Sequence, residues 1–187
     1  MEKQENGFYS GYKHNWQEFK NVLLKYGIAT LYHFTDSSNL ESINKNGGLY
    51  SWAYCQRNGI DIFRPGGNDL SRNLDVQKGL QNYVRVSFVS DHPMIYVAQR
   101  HDRILSPVIM EISVEVIFME KTIFTVQNAS RKGVTASGSI EAFQLIDFPL
   151  FKKQYFELSD DEKPYYQAEI LVYEHIPLEF ICISENW

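Results

Sequence analysis

Trp16, Phe19, Val22, Leu23 and Tyr26 recur at three- and four-residue spacing, so residues 12–26 predict an amphipathic helix that Gly27 can close. Such a face ordinarily packs on its own domain; docking a partner is the other use. Leu31–Thr35 is β-prone, and Ser38 with Glu41 three residues later predicts a capping box opening a short helix. Leu40 and Ile43 give that helix an apolar side, and Gly47-Gly48 can end it before a second strand at Leu49. From Tyr50 to Leu80 the pattern dissolves among Gly59, Pro65, Gly66, Gly67 and Gly79. A short helix is expected around Ala53–Asn58, and the rest reads as a lid or binding loop. Alternation returns over Tyr83–Val89, with Tyr83, Arg85, Ser87 and Val89 on one side and Val84, Val86 and Phe88 on the other. Pro107–Ser113 and Lys121–Val126 predict further strands. Residues 129–139 form a polar loop, and Ile140–Phe151 mixes helical and irregular character. A turn at Asp160–Pro164 feeds a strand starting near Gln167, and Leu178–Ser184 ends the sheet.

These elements describe one mixed α+β domain. At 187 residues the chain can bury a full core without staples. No stretch has the uninterrupted apolar length of a membrane span, and Glu2, Lys3, Gln4, Glu5 and Asn6 do not form a signal-peptide core. Two cysteines, Cys55 and Cys182, are too few and too far apart for a disulfide framework or a zinc set. A cytoplasmic, metal-free protein is expected. A net charge of −5 argues against binding nucleic acid through a broad basic field and leaves room for a local groove.

Three blocks carry a resemblance: Tyr32-His33-Phe34-Thr35 with Asn39-Leu40 and Gly48-Leu49; Tyr83-Val84 with Ser87-Phe88 and Pro93-Met94-Ile95-Tyr96; and Gln167-Ala168-Glu169-Ile170-Leu171-Val172. In this order they resemble the DarT family of DNA ADP-ribosyltransferase toxins over roughly residues 31–184. The resemblance implies an ADP-ribosyltransferase-like split two-sheet core with peripheral helices, spanning residues 29–187. Residues 1–28 would then be an N-terminal helical extension. It implies transfer of ADP-ribose from NAD⁺, a co-substrate needing no metal, to a thymidine or guanosine base of single-stranded DNA. A macrodomain-type antitoxin is the partner it implies.

The same resemblance points to residues. His33 would hold the adenosine-side ribose of NAD⁺, which suits an imidazole that donates from one nitrogen and accepts at the other. Thr35 and Asn39 fall at the same site, although local capping explains them equally well. Glu169 would be the catalytic carboxylate, engaging the nicotinamide ribose and taking the proton of the attacking base. Gln167, expected two residues earlier on the same strand face, could meet the acceptor. An arginine ahead of the Tyr83-Val84 strand would hold NAD⁺ phosphate or stabilise departing nicotinamide. Arg72 is the first choice, with Lys78 or Arg85 as alternates, because Ser71–Leu80 departs from the family pattern. Arg85, Arg131 and Lys132 are candidate DNA contacts, and Tyr165 and Tyr166 could stack a base or pack the core. Phe124-Thr125 and Asn128-Ala129 also match a family segment, without a role that follows from the residues. Two rival readings stand: a transferase acting on RNA, protein or a terminal phosphate, and a non-catalytic nucleotide- or partner-binding domain.

Overall fold

The computed structural model describes residues 11–182; Glu2–Asn6 and the expected end of the sheet at Ser184 lie outside them. In chain order the elements are α1 (Trp16–Tyr26), β1 (Thr30–Asp36), α2 (Leu40–Lys45), β2 (Gly48–Tyr50), α3 (Trp52–Asn58), α4 (Asp69–Gln77) and β3 (Tyr83–Ser87). There follow α5 (Pro93–Arg100), β4 (Pro107–Ser113), β5 (Ile123–Thr125), α6 (Ile140–Gln144), β6 (Glu169–Tyr173), β7 (His175–Pro177) and β8 (Ile181–Cys182). One antiparallel sheet has the order β5-β6-β3-β1-β4-β8, and β2 pairs with β7 in a second. This is the mixed α+β architecture with a large and a small sheet.

The join between β1 and β3 positions the site. β1 runs along β4 from Thr30–Ser113 to Asp36–Pro107, yet meets β3 at the single pair Tyr32–Ser87. The ladder between the two halves of the sheet parts there. Below it lies one apolar core in which Phe19 and Leu23 of α1 pack with Phe124, Phe143 and Phe148. The Phe19 and Phe143 rings lie 5.2 Å apart, centroid to centroid. The amphipathic face of α1 is therefore spent on its own domain, and loss of the Phe19 ring is expected to cost about 3–5 kcal/mol.

Several boundaries differ from the sequence pattern for local reasons. α1 starts at Trp16 rather than residue 12, because Tyr12 pairs with Met119 and the Lys13 N–H donates to the Phe118 carbonyl at 2.7 Å. Gly27 closes it as expected, at φ +71°. The expected Ser38–Glu41 capping box is replaced by Asp36, whose Oδ1 accepts from the Ser38 N–H at 3.0 Å and the Ser38 hydroxyl at 2.7 Å. That commits the hydroxyl, and the chain enters α2 through a 3₁₀ turn over Ser37–Asn39. Asp36 Oδ2 also accepts from the Leu105 and Ser106 N–H groups, joining the end of β1 to the start of β4. Burial alone would raise this carboxyl, but the hydrogen bonds together hold it far below the usual carboxylate range.

The stretch expected to lack structure carries α4 besides α3. Asn68 caps α4, its Oδ1 accepting from the Ser71 N–H at 2.9 Å. β3 ends at Ser87, two residues short of Val89, because the Ser87 hydroxyl accepts from the Val89 N–H at 3.0 Å and turns the chain. β6 begins at Glu169, not at Gln167, since Tyr165–Gln167 forms a 3₁₀ turn. Among the described residues no helix is long and apolar enough to cross a membrane.

Candidate active site

Glu169 is the first residue of β6, opposite Ser87 of β3 on one side and Thr125 of β5 on the other. Only 6% of it is exposed. Arg85 lies two residues before Ser87 on the same face of β3, a diagonal neighbour across the strands. Its Nη1 donates to Glu169 Oε2 at 2.7 Å, and the Ala129 N–H donates to the same oxygen at 2.7 Å. Both bonds converge on Oε2; among the described residues no donor meets Oε1.

Arg85 has a second carboxylate. Its Nη2 bonds and ion-pairs with Asp75 of α4, and reaches the Ser130 hydroxyl at 3.4 Å. Burial would lower the guanidinium pKa, but Glu169 and Asp75 together hold it above its ordinary value. Burial pushes the Asp75 carboxyl up, Arg85 works against that rise, and the Glu169 charge adds to it. Two carboxylates on one guanidinium leave this cluster with a formal charge of −1. That suits a transition state in which positive charge develops on a ribose.

Lys78, one turn beyond Asp75, fixes the loop that supplies the Ala129 N–H. Its Nζ donates to the carbonyls of Ala129 and Arg131, each at 2.5 Å. The Asn128-Ala129 segment, without a role in the sequence, thus contributes a backbone donor to the carboxylate.

His33 stands where the sheet parts. Its Nδ1 lies 2.8 Å from the Arg85 carbonyl, an oxygen that can only accept, so Nδ1 carries the proton. Burial lowers the His33 pKa, outweighing the effect of that bond, and keeps the ring neutral. Its Nε2 therefore presents a lone pair, which suits a ribose hydroxyl.

A family model described as "ssDNA thymidine ADP-ribosyltransferase, DarT" matches residues 32–183. The chain belongs to the DarT family. The fold agrees with solved DarT structures. That of Thermus sp. 2.9 DarT in complex with ADP-ribosylated ssDNA has a TM-score of 0.63 at 17% identity, covering 86% of this chain and 83% of that one. The same enzyme in complex with NAD⁺ gives 0.62 at 19% identity, covering 85% and 83%. Thermosipho africanus DarTG in complex with ADP-ribose gives 0.68 at 20% identity, covering 82% of this chain and 42% of that one. No curated protein matches the sequence.

Within this DarT-family fold the remaining sequence candidates separate. The arginine that meets Glu169 is Arg85, which the sequence offers both as an alternate to Arg72 and as a candidate DNA contact. Arg72 lies instead over Trp52, 5.1 Å from the ring centroid, with Asp69 3.7 Å away. Thr35 and Asn39 meet each other: Asn39 Nδ2 donates to Thr35 Oγ1 at 3.0 Å and to the Arg64 carbonyl at 2.8 Å, while Asn39 Oδ1 accepts from the Arg64 N–H. Asn39 thereby fixes the backbone of Arg64, which lines an open groove of about 630 Å³ together with Ser38, Phe63 and Arg103. Gln167 is off the strand, in the 3₁₀ turn, with Nε2 3.4 Å from the Lys163 carbonyl. Arg131 and Lys132 are exposed, Tyr166 is buried and Tyr165 is 41% exposed. Asp75 was missed in sequence because a polar helix residue gives no sign of its partner.

Proposed function

We propose that this chain transfers ADP-ribose from NAD⁺ to thymine in single-stranded DNA, with Glu169 as the catalytic carboxylate. The observation that carries the reading is the buried Glu169, held through Oε2 by Arg85 and Ala129 while Oε1 is left for substrate. A nucleotide thymine has one ring N–H, at N3. Its electron pair forms the bond to C1′ as the bond from C1′ to nicotinamide breaks, and nicotinamide leaves neutral. Oε1 receives the N3 proton. His33 Nε2 accepts from the adenosine-side ribose, and the groove lined by Ser38, Arg64 and Arg103 takes the rest of the ADP half. Arg85 fixes the carboxylate and balances part of its charge. Arg131 and Lys132, on the loop that supplies the Ala129 N–H, contact DNA phosphate, and Arg72 and Gln167 line the approach.

A single strand is the natural acceptor because exposing a paired base costs a few kcal/mol. The family match supports thymine over guanine. The similarity to a DarTG chain supports a toxin countered by a macrodomain-type antitoxin, acting in the cytoplasm where NAD⁺ and DNA meet. Labelled NAD⁺ offered with single-stranded DNA, the matching duplex, RNA and total protein tests this. Label on the single strand is expected; label confined to RNA or protein would overturn the acceptor.

A further inference from the structure

His92 caps α5: its Nδ1 accepts from the Met94 N–H at 3.2 Å, and the residue is 3% exposed. A ring nitrogen that accepts carries no proton, so in the neutral ring the hydrogen stands on Nε2. Burial keeps the ring neutral by holding its pKa down, against a rise from Glu169, while Arg85 lowers it further. Among the described residues Nε2–H meets no acceptor.

The position of this donor says what it faces. His33, Phe34 and His92 form a row of nearly parallel rings, with centroid spacings of 6.4 and 6.2 Å. His33 occupies the end assigned to the ADP half of NAD⁺. His92 occupies the opposite end, and Val89, three residues before it, packs with Tyr166, in the segment leading into Glu169. In the proposed transfer the reacting ribose lies between the two ends, and the acceptor base comes in beyond it.

We propose that His92 Nε2–H donates to O4, one of the two carbonyl oxygens beside the attacking nitrogen of thymine, so that His92 selects the base as well as assisting attack. This rests on the proposed transfer to thymine. As the N3 proton passes to Glu169 and N3 bonds to C1′, charge spreads onto O2 and O4. A fixed neutral donor stabilises that charge without competing for the Glu169 proton. Thymine presents O4 as an acceptor, whereas cytosine and adenine present amino donors at the matching place. A donor facing them repels them.

His92→Asn and His92→Ser both retain helix-capping ability and remove the Nε2 donor, so the fold is preserved. Single-turnover transfer to an oligonucleotide with one thymine is expected to fall roughly a hundredfold. Hydrolysis of NAD⁺ by water, NAD⁺ affinity and melting temperature should stay within about twofold or unchanged, since none involves the base. Replacing the contacted thymine oxygen by sulfur should slow the wild type and leave the variants unaffected. Full transfer by either variant, or transfer and hydrolysis falling together, overturns the proposal; the second result would mean a capping or nicotinamide role. A wild-type protein that cleaves NAD⁺ but marks no base fails at the acceptor reading itself, before any variant is compared.

Discussion

Glu169 and Arg85 divide the work by atom. Because both donors meet Oε2, Oε1, the proposed base, is held in place without being occupied. Glu169→Gln keeps the shape and loses the base, so single-turnover transfer should drop by at least about a hundredfold. NAD⁺ affinity, measured by calorimetric titration, should change little. Equal loss of affinity and turnover would mean that the carboxylate binds rather than reacts. Arg85 bridges Glu169 and Asp75 through separate nitrogens, a fork that an ammonium cannot reproduce. Arg85→Lys should therefore reduce transfer more than tenfold. Arg72→Ala, which removes a cation resting on Trp52, should reduce it less. The reverse order in a side-by-side assay would return the catalytic role to Arg72.

At the scale of elements, the small sheet depends on a close approach of backbone. A Cβ on Gly48 would lie 2.2 Å from the Ile176 carbonyl oxygen, at φ +147°. Gly48→Ala must part β2 from β7 and should cost at least about 2 kcal/mol, read from denaturant melts. A wild-type midpoint would show that the pair can shift to admit a methyl group. The elements also show where sequence was informative. Leu31–Thr35 and Pro107–Ser113 alternate or carry β-prone residues, and both fall on strands. α4 escaped because it buries no residue and leaves Leu70 and Val76 exposed, so it has no apolar period to read. Its one local signal was Asn68 ahead of Asp69, after the Pro65–Gly67 break. The blocks around Glu169 and His33 single them out as candidates in the sequence. The partnership of Glu169 with Arg85 is not legible there, because it follows from the Ser87–Glu169 register across 82 positions, 169 less 87. The Ala129 donor was hidden for another reason: a backbone N–H has no signature.

Across the whole molecule, three enclosed imidazoles tie the fold to pH. Burial lowers the pKa of His33, His92 and His175 below the ordinary 6.5. Below that value the unfolded chain binds more protons, so stability falls as pH drops toward the folded values and is fully present above 6.5. Each ring adds a slope of up to about 1.4 kcal/mol per pH unit. Asp75, raised by burial, opposes the trend below its own folded value. Melts between pH 7.5 and 5.5 should show the loss, and His92→Ser should reduce the slope; a flat profile would mean that the rings protonate without cost. The net charge of −5 also fits a protein that holds DNA through a few contacts, not a broad basic face. All these scales meet in one product. Mass spectrometry of a single-stranded oligonucleotide carrying one thymine, incubated with NAD⁺ and the protein, tests the central claim most directly. One ADP-ribose on that thymine, absent with Glu169→Gln and absent when cytosine replaces it, is the predicted result. An unmodified oligonucleotide beside ADP-ribosylated RNA or protein, or an adduct that persists with Glu169→Gln, would contradict it.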